Sequence, residues 1–280
     1  MNPITISAPT LSYAKPLDFI DAAAAAGFDG VGLRLSKASS PDLPFHPVVG
    51  NAPLIADIKR RLADTGLKFL DIYTFYLTPS FDLDACKAAL EVGAEFGAKF
   101  AATVGYDADH ARARDTFARI CDAAQQFGLT TTIEFAPLDN CWPATLDQAV
   151  GLLREVDRPN AAIMPDPKHL LATGGAIADL RAVDPRYIRY CQICDVEIQG
   201  DVFLPALGRN GRNAKRRLLG EGILNVAEWL DVLPPGISIS VECVPQPKGL
   251  ADREWAMQVG RTTRQAIESC YRDQPGNRRS

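Results

Sequence analysis

The sequence predicts a single α/β domain, a (β/α)8 barrel of the TIM type, and three observations lead there. Strand-like and helix-like segments alternate from one end of the chain to the other. The helix-like segments end repeatedly at a glycine or proline stop just ahead of the next apolar run. No G-x-G-x-x-G follows the first strand, which removes the main support for the rival doubly wound open sheet. Eight strand–helix units in 280 residues suit the roughly 250 that such barrels occupy. No Pro/Gly/Ser-rich linker divides the chain, so residues 1–271 are expected to form one barrel, followed by a polar tail, RDQPGNRRS, over 272–280.

Taken in order, ITISAP supplies the first strand, over 4–8. LDFIDAAAAAGFDGVGLRL reads as a run of good helix formers, a stop at Gly27 and a second strand over 30–35. RLADTGLKFLDIYTF repeats the unit with Gly66 and a strand over 68–73. ALEVGAEFGAKFAATVG does so with Gly97 and 99–104, and FARICDAAQQFGLTTTIEFAP with Gly128 and 130–135. The later units, LLREVDRPNAAIMPD, LRAVDPRYIRYCQICD and EWLDVLPPGISISVECVP, use Pro with Asn or Gly as the stop and give strands over 161–166, 188–193 and 237–242. A last helix covers about 251–271. The stretch EIQGDVFLPALGRNGRNAKRRLLGEG after the seventh strand is too long for a plain connector; either it is disordered or it covers a site.

Composition narrows the function classes. With 47% hydrophobic and 23% charged residues the chain is an ordinary soluble globular one. Thirty Lys and Arg against 34 Asp and Glu give a net charge of −4, the wrong sign for a nucleic-acid partner. Seven cysteines, an odd number set mostly in apolar runs, read as buried free thiols of a reducing compartment. Cys191 and Cys194 have C-x-x-C spacing but lie in a strand-like run, where a redox motif needs a helix N-terminus. MNPITISAPTLSYAK lacks a basic n-region, and no run approaches the roughly 18 apolar residues of a membrane span. A cytoplasmic protein with no membrane partner is expected.

Barrel chemistry sits at the C-terminal strand ends, so residues there that do not belong in an apolar strand are informative. Strand five carries Glu134, strand six ends in Asp166, strand seven carries Gln192 and strand eight ends in Glu242. In the last strand Ile237, Ile239 and Val241 share the face toward the helices, which turns Ser238, Ser240 and Glu242 inward; the same parity turns Thr132 and Glu134 inward. One such acid alone reads as a helix cap or an arginine partner. Three acids converging on one mouth repel each other unless a cation compensates them. Two Glu, one Asp and an amide oxygen form an all-oxygen set suited to one Mg²⁺ or Mn²⁺, with Zn²⁺ less suited. Of only three histidines, His169 lies in the turn D-P-K-H beside Asp166, placed to bind substrate or carry protons.

The I-E-F of strand five, D-P-K-H, Q-I-C-D, the later G-E-G-I-L and S-I-S-V-E resemble the xylose isomerase-like barrel superfamily. That superfamily includes sugar phosphate isomerase/epimerases, hydroxypyruvate isomerases, inosose dehydratases, 3-dehydroshikimate dehydratases and endonuclease IV. The resemblance implies that Glu134, Asp166, Gln192 and Glu242 bind one divalent metal, and that the two glutamates also exchange protons with substrate. Many epimerases of this type carry His where this chain has Gln192; a Gln there is similar to hydroxypyruvate isomerases and some 3-dehydroshikimate dehydratases. Asp195 falls on the other strand parity and is expected to be structural. The basic segment before G-E-G resembles one in which an arginine meets a substrate oxygen, and its spacing does not choose among Arg212, Arg216 and Arg217. Arg212 and Arg217 join Arg34, His46, Tyr73 and Lys168 as expected substrate contacts, and pairing into a homo-oligomer is implied by resemblance alone.

The expected function is a divalent-metal-dependent isomerase or epimerase of a sugar or related hydroxy-carbonyl compound, working through a metal-stabilised enediolate. Glu134, Glu242 and His169 are its expected proton-transfer groups. The alternatives are a metal-dependent dehydratase of the 3-dehydroshikimate or keto-inositol type and a non-catalytic barrel. Endonuclease chemistry fails on histidine count and on charge, because its trinuclear zinc cluster is histidine-rich and its grip on phosphate is basic.

Overall fold

A computed structural model describes residues 2–35 and 44–272. Eight parallel strands form the barrel: β1 (Ile4–Ile6), β2 (Gly30–Leu33), β3 (Lys68–Leu77), β4 (Phe100–Gly105), β5 (Thr130–Glu134), β6 (Ala161–Ile163), β7 (Tyr190–Ile193) and, after an antiparallel pair β8 (Asp195–Leu204) and β9 (Arg209–Arg217), β10 (Ser238–Val241). Their order is β6-β5-β4-β3-β2-β1-β10-β7. The two ends meet through a bridge between Ile163 and Ile188 and through the Gln192 N–H, which donates to the Pro165 carbonyl at 3.0 Å, so the barrel is nearly closed. Around it lie α1 (Pro16–Ala25), α2 (Ala52–Thr65), α3 (Leu83–Phe96), α4 (His110–Gln125), α5 (Leu146–Val156), α6 (Pro167–Ala172), α7 (Val226–Val232) and α8 (Asp252–Arg272).

Side-chain alternation builds two cores. Outward residues such as Ile72, Ile133, Phe135, Ile193, Ile239 and Val241 pack under helix residues that include Phe19, Leu90, Phe117, Leu153 and Trp229. Inward residues Leu70, Tyr73, Phe100, Ala102, Met164 and Tyr190 fill the barrel with Ala8, and the Phe100 and Tyr190 rings stack with centroids 4.9 Å apart. The glycine stops act as read: Gly66 and Gly97 close α2 and α3 at φ of 73° and 91°, the left-handed region a side chain disfavours. No disulfide joins any of the seven cysteines, six of which are buried. The barrel thus has the eight strands expected from the sequence, with shifted ends. β3 runs on to Leu77, whereas β6 stops at Ile163 because Asp166 already caps the next helix. The tail expected over 272–280 lies outside the described residues from 273 onward.

The unpatterned stretch after strand seven is a β-ribbon, β8 paired antiparallel with β9 around a turn at Pro205–Leu207. No periodicity announced it, since RNGRNAKRR contains neither a β-branched nor an aromatic residue and is a strand only by virtue of its partner. Asp195 anchors its base. The buried carboxylate accepts from the Val196 and Leu224 N–H groups at 2.8 Å and from the Gly220 N–H at 2.9 Å, tying ribbon to the G-E-G turn. Asp195→Ala strips three buried N–H groups of a charged acceptor; we expect it to lower unfolding free energy in urea by about 2–3 kcal/mol.

Candidate active site

Four neighbouring strands deliver the polar cluster. Glu134 is the last residue of β5, Asp166 caps α6 just past β6, Gln192 lies in β7 and Glu242 directly follows β10. Asp166 and Gln192 are fully buried, and Glu134, Glu242 and His169 are at most 6% exposed. The Gln192 amide donates to Glu242 Oε2 at 2.5 Å and the Tyr73 hydroxyl donates to the same oxygen at 3.2 Å. His169 Nε2 stands 3.6 Å from Glu134 Oε1. Donor atoms of Glu134, Asp166 and His169 lie within 4.8 Å of one another. Asp166 also performs the ordinary duty of a cap, accepting from the Lys168 and His169 N–H groups at 2.7 and 3.3 Å.

Among Arg212, Arg216 and Arg217 of the ribbon, Arg216 is the one that enters. Its guanidinium donates to Asp166 Oδ2 at 2.6 Å and to Glu242 Oε1 at 2.7 Å. It also reaches the Glu242 carbonyl at 3.1 Å. Arg212 is exposed, and Arg217 pairs with Glu197 on the ribbon itself, so neither meets the acids. Ladder pairing explains the choice: Arg216 faces the buried Val196 across β8 and β9, information absent until the ribbon is recognised. Lys168 is half-buried beside the cluster, Arg34 lies over the Tyr73 ring with 5.9 Å to its centroid, and His46 shares a small pocket with Arg34.

Burial dominates the electrostatics. It pushes the Glu134 carboxyl well above the usual range, and the charges of Glu242 and Asp166 push the same way. Glu242 is also raised by burial, with Arg216 opposing. Burial likewise works to raise Asp166, but the Arg216 guanidinium and other nearby cations outweigh it and hold the carboxyl below its ordinary value. His169 is driven far down by burial and then by Lys168, so the imidazole is neutral and its approach to Glu134 is no ion pair. Lys168 is lowered by burial and by Arg216. Glu134 Oε1, Gln192 Oε1 and His169 Nδ1 are buried without a hydrogen-bond partner. Oxygen donors left unsatisfied among three acids fit a divalent cation.

One layer deeper, sequence reading missed Asp71. Its carboxyl is fully buried, neither oxygen has a partner, and a side chain at Gly32 would sit 2.3 Å from Oδ1. Burial, partly offset by the nearby Tyr190 hydroxyl, pushes it up to about 7. The folded state therefore holds this proton more tightly than the unfolded chain, and the associated stability drains as pH rises through 7. Between pH 5 and 8 wild type should lose about 2.5 kcal/mol that Asp71→Asn does not lose, read from urea unfolding of both proteins across that range.

A cavity of about 750 Å³ at the opposite, N-terminal end of the barrel is lined by strand starts such as Thr5, Lys68, Lys99 and Ser238. It has no comparable cluster of acids; chemistry, not volume, marks the site.

Residues 20–259 match the family model described as xylose isomerase-like TIM barrel. An inosose isomerase of Bacillus licheniformis is 25% identical over 162 residues, 56% of each chain, so the match spans about half the length of that relative. Among solved structures, the IolI protein with a bound zinc atom is 18% identical, with a TM-score of 0.71 over 95% of this chain and 98% of its own. D-allulose 3-epimerase from Methylomonas sp., in complex with D-allulose, is 17% identical, with a TM-score of 0.67 over 96% and 97%.

Proposed function

The chain belongs to the xylose isomerase-like TIM barrel family, and on that footing we propose that it is a divalent-metal-dependent isomerase or epimerase of a sugar or related hydroxy-carbonyl compound. One observation carries the reading: Glu134, Asp166, Gln192 and Glu242 converge, buried, on the C-terminal mouth of the barrel with a neutral His169 at their side. The inosose isomerase relative and the sugar-bound and zinc-bound neighbours support it.

Glu134, Asp166, Gln192 and Glu242 would hold the ion, and their oxygen donors favour Mg²⁺ or Mn²⁺. When bound, such an ion supplies Lewis-acid polarisation of a substrate carbonyl. The protein's own groups move the protons. Glu134 takes the proton alpha to the carbonyl at a carboxylate oxygen, where burial makes it a stronger base than an exposed glutamate. Glu242, oriented by Tyr73 and Gln192 through Oε2, faces the substrate from the neighbouring side of the mouth and returns a proton. Neutral His169, 3.6 Å from Glu134, relays the proton or holds a substrate hydroxyl. Arg216 steadies the charge that collects on substrate oxygen. Return of the proton to the adjacent carbon gives an isomer, and return to the opposite face gives an epimer.

The test is hydrogen exchange. Ketoses, keto-inositols, hydroxypyruvate and 3-dehydroshikimate are incubated in D₂O with the protein and Mn²⁺, and deuterium at the carbon alpha to the carbonyl is read by NMR. Exchange that stops on chelation and returns with Mn²⁺ is expected. A protein that binds no divalent ion would instead be a non-catalytic barrel.

A further inference from the structure

We propose that the substrate of this mouth is an anion whose carboxylate is received by Arg34 and His46 at the end of β2, across the barrel from Lys168. The inference rests on the functional reading above and names the substrate class for it. Three observations carry it.

The first is an unanswered cation. Arg34 Nε is buried without a hydrogen-bond partner, and among the described residues no carboxylate pairs with the guanidinium, whose one ring contact is the Tyr73 face. His46 Nε2, in the same pocket, is likewise buried and unpartnered. A guanidinium fork and an imidazole N–H converging on one space are donors waiting for oxygen acceptors.

The second is size and place. The space between them, bounded also by Ser12, Leu33 and Phe45, measures about 30 Å³. At ~10–15 Å³ for each water-sized atom on this measure, it takes the two oxygens of a carboxylate. The Arg34 guanidinium is separated from Glu242 by the single ring of Tyr73, whose hydroxyl bonds Glu242. A carboxylate held there leaves a substrate's carbonyl end within reach of the acids.

The third is charge. Glu134, Asp166 and Glu242 bring three negative charges to the mouth and Arg216, Lys168 and Arg34 three positive ones, so a divalent ion held by the acids would leave an excess of two positive charges. Half-ionised Asp71, a layer below, offsets only part of this. Lys168 lies beyond β6 and Arg34 beyond β2, four places apart in an eight-strand ring, so the unbalanced cations face each other across the opening. Positive charge gathered in a poorly solvated mouth selects an anionic ligand and penalises a neutral one.

Calorimetric binding in the presence of Mn²⁺ tests this with pairs that differ in the carboxylate: hydroxypyruvate against hydroxyacetone, and D-glucuronate against D-xylose. At least one acid should bind tenfold or more tightly than its neutral partner, and that ratio should fall to near one in Arg34→Gln. Arg34→Lys, which keeps the charge and loses the fork, should fall between and guards against a misfolded variant, as does circular dichroism of both. Absence of any preference, persistence of the preference in Arg34→Gln, failure of both acids to bind, or tighter binding of dihydroxyacetone phosphate than of hydroxypyruvate would each overturn the assignment. Since binding is read without turnover, an Arg34-dependent preference with no hydrogen exchange leaves the carboxylate site standing and sinks only the enolising reaction.

Discussion

Replacing Glu134 with Gln is expected to slow hydrogen exchange between substrate and solvent by about 10²–10⁴-fold, the range a positioned acid–base group contributes. The exchange preserves shape and buries nothing new, but it removes the carboxylate that stands 3.6 Å from His169 as the expected proton acceptor. On Glu134 burial is followed by the charges of Glu242 and Asp166, all raising the carboxyl, whereas on Glu242 the first influence after burial is Arg216, which opposes it. Mn²⁺ affinity, measured separately on the same variant, distinguishes loss of the base from loss of an ion ligand, since the amide retains an oxygen donor. Glu242→Gln should lose turnover on the same scale. There the amide must also satisfy two donors, from Tyr73 and Gln192, that converge on a single oxygen. Full exchange in either variant would overturn the mechanism.

The second large effect concerns stability. With Arg216→Met and the ion chelated, Asp166 and Glu242 remain buried without the guanidinium that bonds both, and unfolding free energy should drop by about 3–5 kcal/mol, the cost of breaking a buried pair from one side. Methionine keeps much of the stem's packing, so the loss is mainly electrostatic. Millimolar Mn²⁺ should restore a large part of the loss, because a divalent charge held by the same acids replaces the guanidinium. Equal destabilisation with and without Mn²⁺ would mean that these acids do not share an ion. The measurement is denaturant unfolding of wild type and variant, each with chelator and with Mn²⁺.

The barrel was legible because its signals are local and repeated: a glycine stop, then an apolar strand, over and over. Strand parity in TTTIEF and SISVE was enough to turn Glu134 and Glu242 inward, and the structure gathers them with Asp166, Gln192 and His169. Three things were not legible, each for a physical reason. The ribbon β8–β9 carries no propensity of its own, so the choice of Arg216 over Arg212 and Arg217 depends on a register that only pairing supplies. Asp71 sits in what reads as an apolar strand, and its inward turn goes with a register shift between β2 and β3, where Leu70 is passed over between Phe69 and Asp71, that no periodicity shows. Arg34 and His46 line one pocket although they are well apart in sequence, and periodicity shows only that each lies near an early strand end.

The ribbon separates two kinds of dependence in this molecule. The acids stand on strands that the whole barrel must keep in register, so changing their positions disturbs folding. Their counter-cation stands on an appendage fastened by Asp195 and the turn at Gly220. Length, charge and reach of that appendage are free to vary while the barrel ladder stays intact. Variation can therefore be concentrated, by selection or in the laboratory, in an exchange of cassettes between residues 196 and 215, with Arg216 and the strands that carry the acids kept.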